Sequence, residues 1–398
     1  MAGVHTLTMG RRLRQIRLAQ HKSLRTVAGL AGISPRFLSE LESGTRALDR
    51  HSLMVALTDA VGTSPVELMT LPVPAPANGG VDMGIEAVRQ SLLAVGLHHH
   101  AGGQVVPAQA LRARCAALVQ AHRSAERPGE VGAMLAVLIR DLHTSIAAGR
   151  EVAELLEVAV LVHTQLTLGW LRVAGAPLDL RAQAATLARH TAQDLGTATA
   201  LGLAAWGGLS LMISAGIFDL ARDELDEVSV PPTSPESTQL AGMLALCRAL
   251  LATVDSRPVD AVAPLEQAVE LAERTGEGDA YGMGFGPTTV GLWQMYGLLD
   301  VGDHAQAMRV GAGLHPQAHL PPLGQAGYWV TYGRALARVR GHRDDAIAAL
   351  GRAEQISPAR LYRDPFATDV LAELVARSRD DAVGRELRGM AHRSALPR

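Results

Sequence analysis

Cysteine, lysine and aromatic residues are all scarce in this chain of 398 residues. Its two cysteines, Cys115 and Cys247, are too few for a disulfide scaffold and stand in no CxxC or Cys/His ligand spacing, so a reducing cytoplasm is expected. Rings are 3% of residues, yet hydrophobic residues reach 48% and the formal net charge is −2, a balance that excludes disorder and an overall basic coat. No apolar leader opens the chain and no uninterrupted apolar run reaches the roughly 18 residues of a span, so neither secretion nor a membrane is expected. GxSxG, HExxH, Walker and kinase motifs are missing, and Gly282-x-Gly284-x-Gly286 follows no strand, so it reads as a bent helix entrance rather than a dinucleotide cradle. His98, His99 and His100 lack a carboxylate or Cys companion and read as a solvated loop. Neither an enzyme nor a cofactor or metal is expected.

What is present becomes clear when the charge is divided. Residues 1–71 hold nine Lys+Arg against five Asp+Glu, leaving 28 and 34 for the remainder. A head of net +4 on a body of net −6 predicts polyanion binding by the head alone. Between them LPVPAPANGG has three prolines and two glycines, which remove amide donors and fix φ; residues 72–81 read as an extended connector.

The head reads as five short helices. Ser23 stands where an N-cap is needed for a helix from Leu24, and Gly32 ends it. Ser34-Pro35 supplies the next cap and first helical position, and Gly44 the next stop. Asp49 is expected to cap a fourth helix and Ser64-Pro65 to open a fifth. Within Leu24–Gly44, two helices meet at a tight Gly32-Ile33-Ser34 turn with Val27 and Leu38 inside the corner, the spacing that lays one helix across a DNA backbone and the next in the major groove.

On these residues, 9–70 resemble the lambda-repressor-like (Xre) helix-turn-helix family. The likeness lies in the Leu-Arg-x-x-Arg first helix, the LRTVAGLAGISPRFLSELESG core and the final GTSPVELM. It implies a homodimer on an inverted-repeat duplex operator. Pro35, Arg36, Ser39 and Glu40 project from the reading helix: Arg36 suits guanine O6 and N7, while Glu40 could accept from cytosine N4 or orient a neighbouring arginine. Ser23, Arg25, Ser34, Thr45 and Arg46 lie at or just beyond helix ends, where phosphates are met. Arg17 and Glu42, which pair in similar domains, are assigned to structure.

The body, 82–398, reads as all-helical. Gly216, Ser256, Gly302 and Gly341, each followed five residues later by Ala, recur as if each opened the second helix of a pair; Gly175 marks a weaker fifth. Periods of this kind signify an α-solenoid. It resembles a tetratricopeptide-type (TPR-like) array, and with the head it is similar to large actinobacterial regulators and to pheromone-sensing TPR regulators of Gram-positive bacteria. The resemblance implies an effector, a peptide or small molecule, on the inner face. Candidates for contacting it are Tyr281, Phe285, Thr289, Trp293 and Tyr296 on one presumed first helix, Tyr328 and Tyr332 on the next, and His163, Gln165 and Trp170 earlier. The alternatives are that these rings are core, and that the array is a protein-interaction scaffold with secondary DNA binding.

Overall fold

The computed structural model describes residues 8–69, 79–97, 102–378 and 381–393. Among these every element is helical, apart from one isolated bridge between Gly278 and Phe285. The head comprises α1 (Met9–Ala19), α2 (Leu24–Leu30), α3 (Pro35–Ser43), α4 (His51–Val61) and α5 (Pro65–Met69). Leu13, Val27, Leu38, Leu41, Met54, Leu57 and Leu68 close its core, all essentially without exposure.

The body begins with α6 (Gly79–Leu97), α7 (Ala108–Arg123), α8 (Pro128–Ala147) and α9 (Val152–Leu161). A π-helical turn (Val162–Thr167) joins α9 to α10 (Leu168–Ala174) and α11 (Leu178–Leu195). Since α6 starts at Gly79, the last three residues of the expected connector are helical; 70–78, and the His98–His100 run, lie outside the described residues.

Helix pairs follow: α12 (Ala198–Ala215) with α13 (Phe218–Asp226), α14 (Pro235–Val254) with α15 (Val262–Thr275), and α16 (Pro287–Val301) with α17 (His304–Ala312). The short α18 (Pro316–His319) precedes the pair α19 (Pro322–Leu336) and α20 (Arg343–Ile356). Then come α21 (Pro358–Tyr362), α22 (Pro365–Ala376) and α23 (Ala382–Arg393).

Three of the repeated small residues, Gly216, Ser256 and Gly302, do not open the second helices, as expected, but turn the chain out of the first; Gly341 lies in the turn between α19 and α20. Gly216, Gly302, Gly341 and Ser256 have φ of 74°, 87°, 91° and 58°, all in the left-handed region. Five residues on, Ala221, Ala307 and Ala346 are wholly buried where the second helix crosses the first. After Gly175 the same place holds Leu180, which is why that unit is weaker in sequence.

Three helices, Val152–Ala174 (including the π turn), Ala198–Ala215 and Pro235–Val254, are long and apolar enough to cross a membrane by length and composition. In the structure 56%, 50% and 78% of their most apolar windows are buried against other helices.

Head and body meet through carboxylates. Asp369 on α22 accepts the backbone N–H of Met9 at 3.0 Å and of Leu48 at 3.2 Å, and Glu373 one turn on accepts that of Ala47 at 2.8 Å. Arg338 bridges Asp49 of the head to Glu373 of the body. Phe366 packs into the head's core beside His51, with ring centroids 4.7 Å apart. Asp300, in the last turn of α16, receives the N–H of Ser52 at 3.1 Å. Asp49 is thus not the cap of α4; its carboxylate is engaged by Arg338, and Asp300 takes the capping role.

Candidate nucleic-acid interface

The head exposes one side of α3, and just past its end the Thr45 carbonyl accepts from Arg377 of the body at 2.8 Å. Ser34 Oγ accepts the N–H of Phe37 at 3.1 Å and Pro35 occupies the first helical position, so α3 starts sharply; Gly44, with φ 75°, ends it. Ser23 does the same for α2, accepting from Thr26 N at 3.0 Å. These caps satisfy amides that the short helices would otherwise leave unpaired, and substitution of such a cap by Ala costs roughly 0.5–2 kcal/mol.

The angle between α1 and α3 is fixed from beneath. Arg17 donates Nε and Nη2 to the two carboxylate oxygens of Glu42 at 2.6 and 2.8 Å, and its Nη1 donates to the Lys22 carbonyl at 2.9 Å. Both side chains are buried, as the structural assignment anticipates. Burial makes this pair a device of geometry more than of stability, since desolvation offsets most of the Coulomb gain. Lys22, the chain's one lysine, donates Nζ to the Ala60 carbonyl at 2.8 Å and so ties the α1–α2 turn to α4.

On the open face, Ser23, Arg25, Ser34, Pro35, Arg36, Ser39, Thr45 and Arg46 are all exposed and Glu40 is half-exposed. Arg36, with 90% of its side chain accessible, places Nε 3.1 Å from Glu40 Oε1. Of the two roles open to Glu40 in the sequence, this geometry is that of a carboxylate orienting an arginine. An exposed i,i+4 pair of this kind contributes only a few tenths of a kcal/mol, about 0.3–0.5, so duplex contacts could displace it cheaply. Arg46 lays its guanidinium over the Phe37 ring, 4.5 Å from the centroid. Thr45 Oγ1 donates to the Glu40 carbonyl at 3.1 Å, fixing the loop just past α3. An open hollow of about 520 Å³ runs along this face, bordered by Arg36, Glu40, Arg46 and also Arg50, a cation the sequence reading did not single out.

The ten residues expected to meet an effector do not share one site. Tyr281 and Phe285 precede α16 instead of lying on it: Tyr281 belongs to a 3-10 turn (Ala280–Gly282), and Phe285 is wholly buried against Gly242. Trp170 is core, its Nε1 donating to the Pro128 carbonyl at 2.8 Å and its ring seated on Gly84 and Gly132. His163 is buried on the π turn with Nε2 2.8 Å from His143 Nε2, and burial lowers both imidazoles, His143 to about 4. Thr289 donates to the Gly284 carbonyl at the head of α16. Tyr328 donates to the Gly311 carbonyl at 2.9 Å and stacks on Tyr332 at 5.5 Å, while Trp293 and Tyr296 meet edge to face at 6.4 Å. Gln165 and Tyr281 alone of the ten border the cleft between α7, α9 and the 3-10 turn. Helical spacing cannot separate an inter-helix seam from a groove lining, because both put rings on one side.

The docking carboxylates Asp300, Asp369 and Glu373 were not foreseen either. Their signal is an acidic residue in an otherwise apolar helix, as in LWQMYGLLDV and PFATDVLAELVA.

The helix-turn-helix domain family matches residues 8–71. No curated protein and no solved structure matches the chain. The match covers the five-helix head, so the chain carries an N-terminal helix-turn-helix domain within an all-helical fold, which supports a DNA-binding regulator.

Proposed function

We propose that this protein is a transcriptional regulator of the lambda-repressor-like type, whose head reads a duplex operator through α3 and whose TPR-like body receives an effector that sets how the head is held. One observation carries the reading. The side chains expected to face DNA stay exposed, Glu40 half so, while the body holds the head by backbone groups, through Asp300, Asp369, Glu373 and, at the Thr45 carbonyl, Arg377. Head and body can thus exchange force without the body covering the reading face.

Arg36 is the base-reading residue in this account, with Glu40 fixing its approach; Ser23, Arg25, Ser34, Pro35, Thr45 and Arg46 position the duplex through its backbone, and Ser39 stands beside Arg36 on the reading face. One such module has a small footprint, so two copies are expected to bind half-sites about 34 Å apart as a homodimer. The effector acts by binding one head arrangement better than another, and changes operator affinity by that difference alone. The protein is expected to work in the cytoplasm without enzymatic activity.

Selection of duplexes from a random pool by the full chain tests this. Enrichment of an inverted repeat with one-turn half-site spacing, lost in Arg36→Ala, is the expected outcome; recovery of an unenriched pool contradicts it.

A further inference from the structure

We infer that the cleft between α7, the α9–π segment and the Ala280–Gly282 turn binds a small, uncharged, carbonyl-bearing molecule with an apolar body, and that α16 carries the occupancy of this cleft to the head. The inference rests on the effector-controlled reading above and gives it a place and a chemistry.

The cleft encloses about 220 Å³. Cys115, Val119, Val158 and Leu161 give it an apolar wall, and Arg112, Gln120, Arg123 and Asp279 also line it. That volume is below the roughly 300–1,000 Å³ of drug-sized sites and suits a small molecule. At the wall stands Gln165, whose Nε2 is buried and has no hydrogen-bond partner. A buried amide donor left unpaired costs about 1–3 kcal/mol, and a rotation of the side chain that brings it to an acceptor oxygen on a ligand in the cleft would remove that cost. The π turn is what presents it: a segment with one extra residue per turn sets Gln165 toward the cleft while neighbouring His163 turns inward to His143.

Charge selects against an ionic ligand. Arg123 is paired with Asp279 at 2.5 Å across the cleft, and Arg112 with Glu157 at 2.9 Å on its rim. Both cations are thus already engaged by carboxylates, whereas a neutral carbonyl compound needs no counter-charge. Cys115 is no nucleophile for it, because burial pushes its thiol up to about 11.

The lip of the cleft is under backbone strain and is tied to α16. Tyr281 holds φ 54°, in the left-handed region, between an Asp279 engaged by Arg123 and a Gly282 at φ 73°. An added Cβ at Gly282 would touch Val119, so the backbone itself faces the cleft. From there the Gly278 N–H donates to the Phe285 carbonyl at 2.9 Å and the Thr288 N–H to Glu277 Oε1 at 2.8 Å, which fixes the loop to the first turn of α16. That helix is 15 residues, or about 22 Å, long. Its last turn carries Asp300, the carboxylate that caps α4 of the head. Midway, Trp293 packs in the same apolar cluster as Tyr281 and Val55 of the head. A ligand that moves the lip therefore moves a rigid element whose other end holds the head.

The test fills the cleft covalently and reads DNA affinity. Ala116 borders the cleft from an exposed position on α7, and Ala113 is exposed on the same helix outside it. Ala116→Cys and Ala113→Cys, each labelled with benzyl methanethiosulfonate, are titrated with a duplex selected by the wild type. The label at 116 should change Kd at least fivefold and the label at 113 less than twofold, and Asp300→Ala should abolish the effect at 116. Equal Kd values for the two labelled proteins overturn the inference while leaving DNA regulation standing; a chain that binds no duplex overturns both. The chemistry is read by saturation-transfer NMR with cyclohexanone and cyclohexanecarboxylate as probes. Cyclohexanone should bind and lose its signal in Gln165→Leu and in the labelled Ala116→Cys protein. Preference for the carboxylate, or indifference to Gln165→Leu, overturns the assignment of a neutral carbonyl ligand.

Discussion

Asp300 accepts the N–H of Ser52, 248 residues earlier in the chain, and thereby caps a helix of another domain. Arg50, the residue at the cap position of α4, provides no side-chain bond, so the helix is left to complete its first turn with a carboxylate from the body. The bond makes the head's local structure depend on the head being docked. Replacing Asp300 with Ala should cost about 0.5–2 kcal/mol, the usual worth of a cap. Amide exchange at Ser52 in the full chain should accelerate while that at Phe37, capped by Ser34, should not.

Docking should also depend on pH. The carboxyl of Asp369 is wholly buried, and burial holds it up at about 7 even though the Met9 and Leu48 amides and Arg338 pull it down. An unfolded aspartate titrates near 3.9, so across the interval up to about 7 the folded protein keeps a proton that the unfolded chain releases. Its stabilising contribution is complete below about pH 4 and is lost as pH rises to about 7. Urea midpoints should fall over that interval, and Asp369→Asn should flatten the decline. An unchanged slope would remove Asp369 from this role.

The buried pair of Arg17 and Glu42 makes a double-mutant prediction. Glu42→Gln leaves the guanidinium without its counter-charge and should destabilise the head by about 3–5 kcal/mol. Arg17→Met with Glu42→Leu removes both charges and should recover most of that loss, by the same reasoning. Chemical unfolding followed by amide exchange within α1 and α3 separates the two outcomes.

Arg25 and Arg36 should fail in different ways. Arg25→Ala removes one phosphate-facing cation, so binding should weaken to a similar degree on every duplex and the salt dependence should shrink by about one counterion. Glu40→Gln should keep DNA binding but alter which base is preferred near Arg36, because the carboxylate 3.1 Å from Arg36 Nε no longer holds that side chain.

Much of the head was legible because its signals are local. Ser23, Ser34-Pro35 and Gly44 punctuate helices only a few residues away, and the apolar spacing between them closes a core of Val27, Leu38 and Leu41. The cap of α4 was read wrongly because the residue that supplies it is far off in sequence; Asp49 looked suitable by position and was already engaged by Arg338. In the body, the recurring glycines were visible but their role was displaced by one element, since a left-handed turn residue and a helix-opening residue look alike without φ. Rings such as Phe285 and Trp170 suggested a ligand face and proved to be glycine-seated core, whereas Gln165 gained its place beside the cleft from a π turn that spacing does not reveal.

The central claim is that α3 reads DNA through Arg36 while the body holds the head. Fluorescence anisotropy of a selected duplex, titrated with wild-type and Arg36→Ala full chains at several salt concentrations, tests it most directly. The account predicts a loss of roughly 1–3 kcal/mol in Arg36→Ala, about 5- to 150-fold in Kd, confined to the selected sequence, with non-specific binding nearly retained. Equal affinity of the two proteins for the selected duplex at every salt concentration would contradict it.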